Sequence, residues 1–273
     1  MTTDNTAASD VTTSDDLLAD YAHLTDVAER RRIEGDEFFI CEGPQALDRL
    51  IASGHAIRSV LLIDTKADRV LADLTNPLPH VTPIIRVTRD EMRTIVGFDL
   101  HRGVIAAANR RPAPTPDDER LLIDNARRIA VLEGLNDPEN LGAIARSAHA
   151  LGIDPLICDP TCIDHYTRRT VRVSMGEILH LPVIRTTGPD HLAQLLNDWE
   201  TWALTPDPNA DDIWTLPVPE RLVLLLGAEG PGLADTTIRS ATRAVRIPIA
   251  DGVDSLNVGN AAAVAFAIVN RPA

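Results

Sequence analysis

Leu222-Val223-Leu224-Leu225-Leu226-Gly227-Ala228-Glu229-Gly230-Pro231-Gly232-Leu233 is the stretch on which the reading of this chain turns. Five consecutive aliphatic residues are too few for a buried helix and are closed off by turn formers, so they read as a strand covered on both faces. Three glycines directly after a buried strand let a backbone approach a ligand closely. Their spacing fits neither the dinucleotide fingerprint nor the P-loop, no lysine follows, and Glu229 would repel a pyrophosphate. A neutral or cationic ligand suits the loop better. The competing reading is a tight turn with an exposed acid.

Working outward from this strand, the second half of the chain alternates short apolar runs with helical spacing. Strands are expected at 129–132, 155–158, 183–184, 201–204 and 244–247. Helices are expected at 140–151, around 166–173, at 191–199 and at 258–269. The first half follows the same alternation: a helical stretch from Tyr21, strands at 38–41, 60–63, 84–87 and 103–108, and helices at 45–53 and from Thr88, a threonine N-cap with acids in the first turn. Alternation of this kind predicts an α/β fold with a mostly parallel sheet. Residues 109–120 open with NRRPAPTPDD, three prolines without apolar periodicity, and read as an extended linker between a domain at 21–108 and one at 121–273. Residues 1–20 read as a disordered acidic tail.

Composition bounds the function. Hydrophobic residues are 44% and charged residues 24%, the balance of a globular protein, and no apolar run is long enough to span a membrane. The first residues lack a basic region followed by an apolar one, so a secretory signal is not expected and the chain should remain cytoplasmic. Cys41, Cys158 and Cys162 read as reduced thiols. The net charge of −14 opposes a nucleic-acid partner held by a global field. Asp4, Asp10, Asp15, Asp16 and Asp20 supply five of those negatives, and the remaining residues still sum to −9. RNA contact would have to come from local arginines: Arg30, Arg31 and Arg32, Arg102 with Arg110 and Arg111, and Arg168, Arg169 and Arg172. Lys66 is the only lysine, so almost every cation is a guanidinium, apt for bidentate phosphate contact. Genome composition would give the same bias.

Two further loops stand at expected strand ends, where open parallel sheets bind ligands. In Glu133-Gly-Leu-Asn-Asp-Pro-Glu-Asn140-Leu-Gly-Ala-Ile-Ala-Arg146-Ser-Ala148, Asn140 sits where a helix begins. Asn140 and Arg146 are six residues apart and would not share a helical face; the plain alternative is an N-cap and a surface arginine. In Ile247-Pro-Ile-Ala-Asp-Gly-Val-Asp-Ser255-Leu256-Asn257-Val258, Ser255 and Asn257 precede an alanine-rich helix, where an ordinary cap is the alternative.

In this order and spacing, NLGAIARSA (140–148), LLLGAEGPGL (224–233) and IPIADGVDSLNV (247–258) resemble the three motifs of the SpoU/TrmH branch of the SPOUT methyltransferases. Arg172-Val-Ser-Met-Gly176 followed by Leu181-Pro182 resembles the family's intervening segment, and the likeness covers about residues 129–269. FICEGPQA (39–46) and Arg102-Gly-Val104 resemble the ribosomal-protein-like substrate-binding domain that precedes many such enzymes. The resemblance implies a trefoil-knotted α/β catalytic domain that forms a homodimer, preceded by a smaller α/β RNA-binding domain. It implies S-adenosylmethionine held near Leu204, Thr205, Leu226, Gly227, Ala228, Ile247, Leu256 and Asn257, and catalytic roles for Arg146, Asn140, Glu229, Ser255 and Asn257. The implied reaction is methyl transfer to a ribose 2′-hydroxyl of structured RNA, ribosomal more than transfer RNA. Arg30, Arg31, Arg168, Arg169 and Arg172 are the expected RNA contacts. Gly259-Asn260 departs from the family's small or apolar pair and should loosen the helix start.

A family proposal makes the arginine matching Arg146 the base. A guanidinium holds its proton too tightly for that, so gripping a phosphate and stabilising an alkoxide is the easier role. Cys158, Cys162 and His165 lack an evident fourth ligand, and no metal is expected. His149 and His180 read as packing, and Trp199, Trp202 and Trp214 as core or dimer contacts. The principal alternative function is a non-catalytic RNA-binding or ribosome-assembly protein that keeps the fold. An oxidoreductase is disfavoured by the missing glycine fingerprint.

Overall fold

The computed structural model describes residues 14–270. The first half runs α1 (Ser14–Ala19), α2 (Val27–Glu34), β1 (Phe38–Glu42), α3 (Pro44–Ser53), β2 (Ile57–Ile63), α4 (Asp64–Ala72), β3 (Ile84–Val87), α5 (Arg89–Val96) and β4 (Val104–Asn109). Its sheet has the order β1-β4-β2-β3. Only β2 and β3 are parallel; β4 lies antiparallel between β1 and β2. A mostly parallel sheet was expected here and is not what forms. The eight-residue α5 ends at Gly97 in the left-handed conformation. The chain then re-enters beside the carboxyl ends of β1 and β2, where Ile105 pairs with both Glu42 and Leu61. Alternation of elements fixes neither strand order nor direction when a connection returns to the same end of a sheet.

The second half runs α6 (Pro116–Asn125), β5 (Arg128–Glu133), α7 (Pro138–Ala150), β6 (Leu156–Cys158), α8 (Arg168–Val173), β7 (Val183–Arg185), α9 (Pro189–Leu195), β8 (Glu200–Leu204), β9 (Asp211–Asp212), β10 (Leu222–Gly227), α10 (Asp235–Ser240), β11 (Arg243–Arg246) and α11 (Val258–Val269). Its seven strands have the order β7-β6-β5-β10-β8-β11-β9, and every pair is parallel. The aliphatic run 222–226 is the centre of this sheet, inserted between β5 and β8, which is why it needs apolar residues on both faces.

Three boundaries differ from expectation. Residues 1–13 lie outside the described residues, but 14–19 are helical and Asp20 is buried. The Arg58 guanidinium meets the Asp20 carboxylate at 2.8 Å, and Tyr21 is fully buried with its hydroxyl against Ser59. The stretch read as a linker ends in α6, because Thr115 and Asp118 cap each other's backbone and Pro116 occupies the first turn. Helix α9 stops at Leu195, since Asp198 turns the chain at φ 69° and sends Trp199 back into the core.

One apolar core runs through both halves, from Phe39, Leu47 and Leu50 to Leu132, Leu141 and Ile144. The seam is also ionic. Arg168 and Arg172 of α8 both reach Glu42 of β1, and Arg110 reaches Asp164 at 2.6 Å. Gly176, at φ +84°, is the close contact: a Cβ there would sit 3.2 Å from the Ala46 backbone.

Candidate active site

The loops leaving β8, β10 and β11 close around one cleft of about 890 Å³ at the carboxyl ends of these neighbouring strands. Leu204, Thr205, Leu226, Gly227, Ala228, Ile247, Leu256 and Asn257 all line it, as do Glu229 and Ser255. Each loop has a local reason for its path. The Thr205 amide donates to the Val245 carbonyl at 2.9 Å, which pins the loop after β8 to β11. After β10 the chain doubles back, and the Gly232 amide donates to Ala228 at 3.0 Å. A Cβ on Gly227 would lie 2.2 Å from the Gly232 carbonyl carbon, so only glycine allows that turn. Gly230 and Gly232 take positive φ of 87° and 71°. The far end of the loop is tied by Glu133 of β5, which accepts from the Ala234 amide at 2.6 Å and the Thr237 hydroxyl at 2.5 Å.

Asn257 joins the three motifs. Its side-chain oxygen caps α11 by accepting from the Asn260 amide at 3.1 Å. Its side-chain nitrogen donates to Asn140 Oδ1 at 2.8 Å and also to Glu229. Asn140 is not the helix cap that its position suggested: Asp137 caps α7, and Asn140 stands one turn in, 6% exposed, facing α11. Gly259 does not loosen the start of α11. It is buried, and a Cβ there would meet Ala143 of α7 at 3.2 Å, so its absence lets the two helices close together.

The remaining expected residues are placed less uniformly. Ser255 is exposed and makes no side-chain hydrogen bond among the described residues. Arg146 is exposed on α7, does not line the cleft, and has no ion pair among the described residues. It stands six residues, about 9 Å of helix rise, beyond Asn140. Arg30, an expected RNA contact, is instead 7% exposed and bonded to Glu34 at 2.7 Å and to the Ala22 carbonyl at 3.0 Å, so its side chain is committed inside the fold. Arg31 is exposed; Arg168 and Arg172 face Glu42, and Arg169 faces Glu139. Among the three tryptophans, Trp202 and Trp199 are buried and Trp214 is 53% exposed. The Cys162 thiol donates to the Leu132 carbonyl, and the neighbouring Cys158 sulfur, then burial, push its pKa up. Among the described residues no three His, Cys, Asp or Glu side chains gather as a metal site.

Residues 127–267, just over half of the chain, match the sequence profile of the SpoU rRNA methylase family. The chain is also 40% identical over 259 residues to an uncharacterised tRNA/rRNA methyltransferase of Mycobacterium tuberculosis, covering 92% of this chain and 88% of that one. The protein belongs to the SpoU family. A TrmH-family tRNA/rRNA methyltransferase of Staphylococcus epidermidis is 28% identical over 86% of this chain and 96% of its own length. Two solved structures share the fold. One is an AdoMet-bound rRNA methyltransferase from Sinorhizobium meliloti, with TM-score 0.75, 24% identity and 96% and 97% of the two chains covered. The other is the SpoU methyltransferase AviRb from Streptomyces viridochromogenes with AdoMet, with TM-score 0.74, 23% identity and 93% and 96% covered.

Within the SpoU cleft, sequence reasoning missed Arg246, Asp251 and Asp254, which line it beside the motif residues. It also missed Glu133, whose signal was only an acid closing a buried strand.

Proposed function

We propose that this SpoU-family protein transfers a methyl group from S-adenosylmethionine to a ribose 2′-hydroxyl of structured RNA, with ribosomal RNA the favoured class. What carries the reading is the convergence of the three strand-end loops on one cleft, with Asn257 bonded at once to Asn140 and Glu229. The cleft residues suit the donor. Leu204, Leu226, Ile247 and Leu256 offer apolar contact to an adenine, and the glycine turn exposes backbone. Glu229, Asp251 and Asp254 set a negative field that favours a sulfonium and disfavours a pyrophosphate.

S-adenosylmethionine, when bound, supplies an electrophilic methyl group on a cationic sulfur. The chain's own residues have simpler tasks. Asn140, Asn257 and Glu229 form a fixed hydrogen-bonded set that holds the two helix starts and the glycine turn in register, and Ser255 offers a free hydroxyl at the cleft. Arg146, outside the cleft of its own chain, is assigned the substrate phosphate and the negative charge on the attacking oxygen. A guanidinium remains protonated and is not assigned as the base, so the hydroxyl proton passes to water as the methyl leaves sulfur for oxygen. Much of the acceleration then comes from orientation.

The trefoil-knotted path and a homodimer through the second half are part of this reading. Insertion of β10 between β5 and β8 is compatible with the former. The latter draws on α11, which has no charged residue yet leaves Asn260 and Ala267 exposed. The first half (21–108) is the RNA-binding domain, with Arg31 as a contact, joined by the exposed faces of Arg169 and Arg172 on α8 of the second half, and the enzyme works in the cytoplasm. Calorimetric titration should give saturable binding of S-adenosylmethionine and none of NAD. Binding without transfer to any RNA fraction would favour the non-catalytic assembly role instead.

A further inference from the structure

Three buried side-chain nitrogens among the described residues have no hydrogen-bond partner, on Arg30, His165 and Arg246. The first two sit inside packed protein; Arg246 lines the cleft. It is the last residue of β11, immediately before Ile247. The other arginine of this strand, Arg243, is spent on Glu200 at 3.5 Å and Asp211 at 3.4 Å. Arg246 has no carboxylate within salt-bridge distance among the described residues, although Glu229, Asp251 and Asp254 line the same cleft. Asp212, its partner in register on β9, turns its carboxylate to the Trp214 amide at 2.9 Å. A buried guanidinium N–H without an acceptor is costly and calls for an explanation, and an anionic ligand is the direct one.

We infer that Arg246 is the anchor for the carboxylate of the methyl donor's amino-acid portion. This rests on reading the cleft as the donor site. A guanidinium matches a carboxylate in two parallel hydrogen bonds. The partly buried Arg246 side chain lines the cleft, so the group it meets is one held within the cleft. A phosphodiester of a structured RNA would approach from outside. The assignment also divides the cleft electrically: the acids on the glycine turn and the loop before α11 favour the sulfonium, and Arg246 takes the opposite charge of the same zwitterion. Asn257, Glu229 and Asn140, already bonded to one another, are left to their own network.

The test compares two neutral-sulfur probes by calorimetry: S-adenosylhomocysteine, and S-adenosyl-3-thiopropylamine, which is the same molecule without its carboxylate. Arg246→Gln should weaken S-adenosylhomocysteine roughly 10- to 100-fold, the loss expected for hydrogen bonds to a charged group, and leave the decarboxylated probe within about twofold. Arg246→Lys should recover part of the loss. Melting temperature reports whether either variant has lost its fold, and the lysine variant keeps the comparison usable if the glutamine one has. Equal weakening of both probes, or none, overturns the inference, as does a loss of RNA affinity with S-adenosylhomocysteine binding intact. If the wild-type protein binds neither probe, the donor-site reading itself fails, a result distinct from these.

Discussion

In the proposed reaction Arg146 and Asn257 are the residues to test one at a time, and they differ in what holds them. Arg146 is exposed and uncommitted among the described residues, so its removal disturbs no packing. We expect Arg146→Ala to reduce methyl transfer by about 10²-fold or more while S-adenosylhomocysteine affinity stays within about twofold, as for loss of one group that stabilises developing charge. Arg146→Lys separates the roles. Lysine can deprotonate but cannot make a two-pronged contact, so little recovery is expected, and full recovery would point to a base. Asn257 is committed three times, to Asn260, Asn140 and Glu229. Asn257→Ala should therefore lower stability by about 1–3 kcal/mol, measured by denaturant midpoint, because the cap is lost and Asn140 is left buried without its donor. The residue identities at this site were legible through the resemblance of the three loops to the SpoU/TrmH motifs, whereas capping preference alone offered only the plain alternative and misplaced the cap of α7 at Asn140. Their mutual bonds were not, since Asn140 and Asn257 are 117 positions apart. Arg246 was hidden for a related reason: an arginine at a strand end looks like any surface cation until the strand is placed beside a cleft.

Elements close upon one another here through missing side chains. A Cβ on Gly142 of α7 would meet Val173 at 2.8 Å and the Thr170 carbonyl oxygen at 3.0 Å, both on α8. Alanine is favoured over glycine within a helix by about 1 kcal/mol, but overpacking against backbone costs about 1–3 kcal/mol. The clash should win, and Gly142→Ala should lower the denaturation midpoint; a stabilised variant would mean that α8 yields. Gly227→Ala is expected to act locally, reducing S-adenosylhomocysteine affinity by tenfold or more, about 1.4 kcal/mol, through displacement of the 228–232 turn. Apolar periodicity and capping signals carried most elements of the second half, and α11 has its expected limits of 258 and 269. The failures have physical causes. Thr115-Pro116-Asp117-Asp118 is a helix start whose signal was read only as proline-rich linker. The antiparallel placement of β4 depends on where a connection returns, which strand composition does not encode.

Across the whole molecule, the seam between the two halves is the feature that responds to pH. His55 is held between Ser53 and Tyr166, its hydroxyl contacts at 2.8 and 3.2 Å, and His165 packs on Tyr166 at 4.1 Å. Burial, then the nearby Arg111, lowers His55 to about 4. Burial, reinforced by Arg185 and Arg110 and opposed by Asp164, does the same to His165. In the folded protein both stay neutral below the ordinary 6.5, whereas the unfolded chain takes up protons there. Their contribution is complete above pH 6.5 and is lost as pH falls toward 4. Denaturant midpoints should therefore decline over that window, and His55→Asn should flatten the decline; a profile unchanged by that substitution would contradict it. The halves share one apolar core and several ion pairs, so they should unfold together in a single transition. Their joint action on RNA is tested most directly by incubating the purified protein with S-adenosylmethionine labelled on its methyl group and total ribosomal RNA, then digesting the product to nucleosides. The label should appear in 2′-O-methylated ribose, reduced by about 10²-fold or more once Arg146 is alanine. Label confined to the bases, or no label in any RNA, would contradict the account.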